Sequence, residues 1–150
     1  MANNRFLEKR VQKFVYDVAV SGGTKNTAIS IGTIPANALI TTGYLVTTTD
    51  FVGATTTIAI GYTGAAAAFM AATTATTMDT GEVSGLLVGA PAVGSNASTL
   101  DAGTAAIFSA RVAASQILVT ANKEVLVTLS NDNDLTAGKF VMFLEYIIAD

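Results

Sequence analysis

Between Lys13 and Val20 apolar side chains recur at every second residue, with Phe14, Tyr16, Val18 and Val20 on one side and Val15, Asp17 and Ala19 on the other. Period two is the repeat of a half-buried β-strand, and Ser21-Gly22-Gly23-Thr24 supplies a turn after it. The signature returns along the chain. Ala28 to Gly32 sets Ile29 and Ile31 on one face and is stopped at Ile34-Pro35, because proline cannot donate to a ladder. A third strand runs from Leu39 through Tyr44 and Val46, with a bend expected at Gly43, and a fourth, Thr55 to Gly61, places Ile58 beside Ile60.

Toward the C-terminus, Gln116 to Ala121 reads as a strand, Asn122-Lys123 as a two-residue turn, and Val125, Val127 and Leu129 as the inward face of the next strand. Asn131-Asp132-Asn133-Asp134 has the chemistry of a closing turn. The last strand, Lys139 to Ile148, is apolar on both faces: Phe140, Met142, Leu144 and Tyr146 on one, Val141, Phe143 and Ile147 beside Glu145 on the other. Such a strand is central in its sheet, or its second face meets a neighbouring subunit, which makes Val141, Phe143 and Ile147 candidate subunit-interface residues.

The middle is less regular. Ala65 to Ala72 contains good helix formers and is expected to hold at most a short helix. Beyond it Gly81, Gly85, Gly89, Pro91, Gly94 and Gly103 punctuate the chain so densely that a long irregular loop or short edge strands are expected. Seven or eight short strands with turns between them, and no alternating helix pattern, predict an all-β fold, an antiparallel β-sandwich that is jelly-roll-like. At 150 residues the chain is expected to form one such domain over residues 14–150, preceded by a short N-terminal arm, residues 1–13.

The arm is set apart by charge. Arg5, Lys9, Arg10 and Lys13 against the single Glu8 give it +3, and the whole chain's −3 leaves −6 for the remainder. Phe6, Leu7 and Val11 are spaced as in a short amphipathic helix or in a segment that orders on contact. Arg5, Phe6, Leu7, Lys9, Arg10 and Lys13 are therefore the candidate residues of an electrostatic latch onto an acidic partner.

Composition narrows the chemistry. The chain has neither cysteine nor histidine, which removes disulfides, thiol chemistry, the usual zinc ligands and the commonest general base. Charged residues are 13% of the total, about half the share in an ordinary soluble domain, and a weakly charged surface favours association. The acidic balance argues against nucleic acid as a partner. Residues Phe51 to Met78 carry no charge, yet Thr and Gly interrupt them too often for a membrane span. The polar N-terminus lacks the apolar run of a secretory signal, so synthesis in a cytoplasm is expected.

Motif readings come to little. Gly138-Lys139 lacks the rest of a phosphate loop. Asp132 and Asp134 resemble the start of a calcium loop, but Ala137 stands where glycine is needed and Phe143 where glutamate is needed. The carboxylates Asp17, Asp50, Asp79, Glu82 and Asp101 show no spacing that singles out a catalytic pair. No enzyme, metal or cofactor is implied.

Three stretches taken together resemble small tailed-phage virion proteins, above all the head decoration or cement proteins: Phe14-Val-Tyr-Asp-Val-Ala-Val-Ser-Gly-Gly, Ile29-Ser-Ile-Gly-Thr-Ile-Pro-Ala-Asn-Ala-Leu-Ile, and Leu135-Thr-Ala-Gly-Lys-Phe-Val-Met-Phe-Leu-Glu-Tyr. The resemblance implies a β-sandwich or jelly-roll module on the outer surface of a phage head, a homotrimer that binds the major capsid protein and staples the shell. A second reading is a head-fibre or tail component that binds host glycans through loops in 79–104, with Tyr62 and Phe69 as the aromatic pair near them. A third is a small glycan hydrolase on the same scaffold, which would need two carboxylates converging in one cleft.

Overall fold

The computed structural model describes residues 8–86, 117–130 and 133–148. Among the described residues nine strands follow one another: β1 (Lys9–Asp17), β2 (Ala28–Ile34), β3 (Ala38–Val52), β4 (Thr57–Tyr62), β5 (Ala65–Thr74), β6 (Val83–Gly85), β7 (Ile117–Val119), β8 (Lys123–Ser130) and β9 (Ala137–Ile148). They form two sheets in which every pairing is antiparallel. The first has the order β1-β9-β3-β6, with β7 also on β3, and the second β2-β8-β4-β5. Among the described strands the chain passes from sheet to sheet at most connections, while β4 and β5 lie together in one sheet and β6 and β7 together in the other. That wrapping makes the sandwich jelly-roll-like, as expected from the sequence.

The inward faces supply the core. Phe14 and Tyr16 of β1, Ile40 and Leu45 of β3, and Phe140, Met142 and Leu144 of β9 are buried with Ile58 and Ile60 of β4, Phe69 and Met70 of β5, and Val125, Val127 and Leu129 of β8. Tyr16, Phe51 and Phe140 form an aromatic knot with ring centroids 5.5–6.2 Å apart, and the Tyr16 hydroxyl donates to the Gly22 carbonyl at 2.8 Å. Burial pushes the pKa of Tyr16 up to about 12.

Several local expectations are corrected. The first strand begins at Lys9, not Lys13, so residues 9–13 of the segment read as an arm are ladder partners of β9, from Lys9 opposite Ile147 to Lys13 opposite Phe143. Val11 is therefore a strand residue and not part of an amphipathic helix. The strand also ends early: Asp17 accepts from the Ala19 amide at 3.0 Å and caps a single helical turn, α1 (Val18–Ser21), which sends Val20 into solvent. Ala65–Thr74 is a strand rather than a short helix. So short an isolated helix is marginal in water, whereas pairing with β4 buries Ala68, Phe69 and Met70. The turn at Asn122-Lys123 does not close a hairpin, because β7 lies on β3 in the first sheet and β8 lies in the second.

Along β3, β6 sits opposite Tyr44–Val46 and β7 opposite Ala38–Ile40. The Leu86 amide donates to the Gly43 carbonyl at 3.0 Å, which continues the β6 edge toward β7. The glycine-rich stretch read as a loop or short edge strands thus contributes one three-residue strand, β6, while most of its remainder lies outside the described residues, and the strand read at Gln116 to Ala121 is the three-residue β7 on the same edge.

Candidate assembly surface

Alternation that sends Phe14, Tyr16, Phe140, Met142 and Leu144 inward must turn their neighbours outward. The register then defines rows across the outer face of the first sheet. Val15 stands opposite Val141, Val141 opposite Val46, and Val46 opposite Val83, so one row of valines crosses four strands. In the next row Lys13, Phe143, Tyr44 and Gly85 follow one another. At the far end the row is Lys9, Ile147, Leu39 and Leu118. Tyr44 and Phe143 stack with centroids 5.0 Å apart and ring planes at 25°.

An antiparallel sheet on the surface of a sandwich ordinarily carries polar side chains outward. Here Tyr44 is 42% exposed and Val15 39%, while Val141, Phe143 and Ile147 are half-buried by one another and by their neighbours. The second sheet's outer face differs: β8 turns Glu124, Leu126, Thr128 and Ser130 outward beside Ala59 of β4. Apolar bulk is concentrated on one outer face.

The carboxylates of that face are paired internally, while Lys13 has no ion pair among the described residues. Lys9 Nζ lies 2.8 Å from Glu145 Oε1, which also accepts from the Thr41 hydroxyl at 2.9 Å, and Lys139 Nζ lies 3.0 Å from Asp17 Oδ2. The hydrogen bond from Lys139, and then that from the Ala19 amide, lowers the pKa of Asp17. The hydrogen bond from Lys9 is the first cause of the lowering at Glu145. These groups are solvent-screened, so each pair is a small term, but both hold the edge strand β1 to β9, one at each end. The sign of the pH effect is fixed. Depressed carboxylates stabilise the fold above their ordinary values of 3.8 and 4.5, and that contribution is lost as pH falls through the lowered folded values. Thermal melts from about pH 6 to about pH 3 should show a smaller fall in Tm for the D17N/E145Q variant than for the parent. Equal slopes would show that the two pairs do not hold β1.

The candidate residues separate accordingly. Val141, Phe143 and Ile147 lie together on this face. Lys9 is engaged by Glu145, Arg10 lies 4.0 Å from Glu8, and Lys13 has no ion pair among the described residues. Arg5, Phe6 and Leu7 lie outside the described residues. Val15, Tyr44, Val46 and Val83 complete the face without having been singled out from sequence. Their signal was the second face of alternating strands, visible only once the pairing order is known.

Among the described residues the carboxylates do not converge on a cleft. Asp17 binds Lys139, Asp50 accepts from the Thr80 amide at 2.6 Å, and Glu82 accepts from the Asp79 amide at 3.3 Å; Asp101 lies outside the described residues. Asp134 accepts from the Lys25 amide at 2.8 Å, which is a turn contact, and Asp132 is not among the described residues. No group of three acidic, His or Cys side chains suited to a metal occurs among the described residues. Phe69 is fully buried behind Tyr62 and so offers no platform for a sugar ring.

No family model matches the sequence, and no curated protein does. Solved structures do. The chain is similar to one in the capsid asymmetric unit of cyanophage Pam1, with a TM-score of 0.56 and 16% identity over 94% of this chain and 85% of that one. It is also similar to one in the capsid of Ralstonia phage GP4, with a TM-score of 0.52 and 15% identity over 94% and 86%. At such identity the shared property is the fold, over nearly the whole of each chain.

Proposed function

We propose that this protein is a structural component of a phage virion, placed on the outside of the head, where copies associate with one another and with the major capsid protein and so stabilise the shell. The observation that carries the reading is the apolar outer face of the first sheet, a surface a solitary domain would not keep. The fold shared with chains of two phage capsids supports it, as does the small charged fraction. On this reading the protein works by binding and not by catalysis. Its association is expected to be trimeric, and it is assembled in the host cytoplasm.

The basic N-terminal segment is the proposed latch to the shell. Lys9 is a poor probe of it, because reversing its charge would set a second carboxylate beside Glu145 and loosen β1. Arg10 and Lys13 are better, being exposed on the edge strand. The R10E/K13E variant should bind undecorated heads less than the parent at low salt. The difference should shrink toward 1 M salt, where the Debye length falls to about 3 Å. Equal, salt-insensitive binding would remove the latch from the proposal, and failure of the parent to bind heads at any salt would remove the proposal itself.

A further inference from the structure

The strand that carries the proposed latch also presents an open backbone edge. β1 pairs with β9 without a register shift, from Lys9 opposite Ile147 to Asp17 opposite Lys139, and no strand pairs its other side among the described residues. The remaining edges are less suited to a further strand. β6 and β7 are three residues each, β2 is bulged between Ser30 and Gly32, and β5 meets β4 across two register shifts. In an antiparallel sheet the N–H and C=O of one residue point to the same side, and that side alternates along the strand. The Gly43 carbonyl accepts from the Leu86 amide at 3.0 Å, so the backbone of Gly43 faces β6 and that of Tyr44 faces β9, opposite Phe143. The Glu145 carbonyl accepts from the Thr41 hydroxyl at 3.2 Å and so faces β3. Phe143 and Glu145 thus turn their backbone to β3, while Leu144 and Tyr146 turn theirs to β1, opposite Gln12 and Arg10. The alternate residues of β1, namely Lys9, Val11, Lys13 and Val15, direct N–H and C=O outward, where no backbone partner stands among the described residues.

Resting on the virion reading, we infer that this edge receives an extended acidic segment of the shell, which adds to the first sheet as a further strand beside β1. Strand addition satisfies the outward amides and carbonyls of β1 directly, and side chains at alternate positions supply selectivity. Those positions are fixed here. The side chains of the same residues lie on the outer face, with Val11 62% and Val15 39% exposed and Lys13 exposed between them. Lys9 is tied to Glu145, whereas Lys13 has no ion pair among the described residues. The fitting segment therefore sets a carboxylate opposite Lys13 and, two residues to either side, apolar side chains opposite Val11 and Val15. Opposite charges facing one another across two strands stabilise the pairing, and like charges weaken it. A second copy's β1 fits less well. Each β1 carries Lys9, Arg10 and Lys13 against Asp17, and the antiparallel register that overlaps the two strands throughout sets Lys13 against Lys13. The lysines that turn away a neutral or basic strand thus admit an acidic one.

Amide hydrogen exchange across residues 9–17, read on the free protein and on protein bound to undecorated heads, tests the contact. In the free protein Lys9, Val11, Lys13 and Val15 should exchange fast, and Gln12, Phe14 and Tyr16 slowly. Binding to heads should protect the outward set. Val11→Pro removes one outward N–H and leaves the β9 ladder intact, a position at which an edge strand tolerates proline. V11P should bind heads about tenfold more weakly than the parent, and V11A, which keeps the N–H, no more than about threefold. The exchange comparison uses the parent chain, so it decides the matter even where V11P fails to fold. Head-bound protein without added protection at 9–17 would overturn the inference, as would equal binding by V11P and V11A. So would protection that rises with concentration in the free protein, since the occupant would then be a second copy. If any of these results came with normal binding to heads, the virion role would stand and only this contact would fall. Failure of the parent to bind heads would remove that role and this contact together.

Discussion

Gly138→Ala should be among the most damaging single substitutions in the molecule, costing about 3–5 kcal/mol. Gly138 opens β9 at φ +136, a backbone conformation that L side chains rarely adopt. A Cβ there would lie 2.0 Å from the Phe51 ring, at the centre of the aromatic knot. Phe51 is held in that cluster, with the Tyr16 and Phe140 ring centroids each 6.2 Å from its own and 5.5 Å from one another. Gly22→Ala is the natural control. Its φ of +84 imposes a similar conformational penalty, but a Cβ there meets nothing within 4 Å, so a loss of about 1 kcal/mol is expected. Denaturant midpoints of the two variants separate the steric part from the backbone part. Equal losses would mean that the knot yields, and that Phe51 is less firmly held than its neighbours indicate.

Removing residues 1–13 should have an effect of similar scale on the body of the protein, although the charge pattern marks them as an appendage. The cut deletes the part of β1 that pairs with Phe143 to Ile147 and leaves only Phe14 to Asp17 on β9. It also removes the Lys9–Glu145 pair and the Gln12 side chain, which joins β1 to the Thr33 carbonyl at 3.0 Å and accepts from the Tyr146 hydroxyl at 3.4 Å. At about 0.5–1.5 kcal/mol per hydrogen bond the loss is about 2–4 kcal/mol. For a chain of this size that lowers Tm by on the order of 10 °C. An unchanged melt would show that the ladder from Lys9 to Lys13 contributes nothing to the fold.

That segment shows how composition and pattern can point different ways. Lys9 and Lys13 are exposed strand residues of an edge, where lysine is favoured because it discourages further pairing. Read by charge alone, the same residues become a tail. By contrast the inward sets Phe140, Met142, Leu144 and Val125, Val127, Leu129 were legible at once, because burial on one face imposes strict period two. Ala65–Thr74 was not legible as a strand, since alanine carries no periodic signal, and what decides its conformation is β4, a partner nearby in sequence but visible only through pairing.

The assembly face was half legible. The double-sided apolarity of β9 gave Val141, Phe143 and Ile147, but Tyr44, Val46 and Val83 join them only through the order β1-β9-β3-β6, which places residues far apart in sequence on one row. No local pattern encodes that order. The edge-strand role of β1 is non-local in the same sense, being a property of what is absent beside it among the described residues.

Quantifying the protein in heads purified from infected cells tests the central claim most directly. The account predicts that it remains with intact heads through density-gradient purification, in a fixed ratio to the major capsid protein, and that heads lacking it break at a lower temperature. Recovery of the protein only in the soluble lysate, with heads of undiminished stability in its absence, would contradict it.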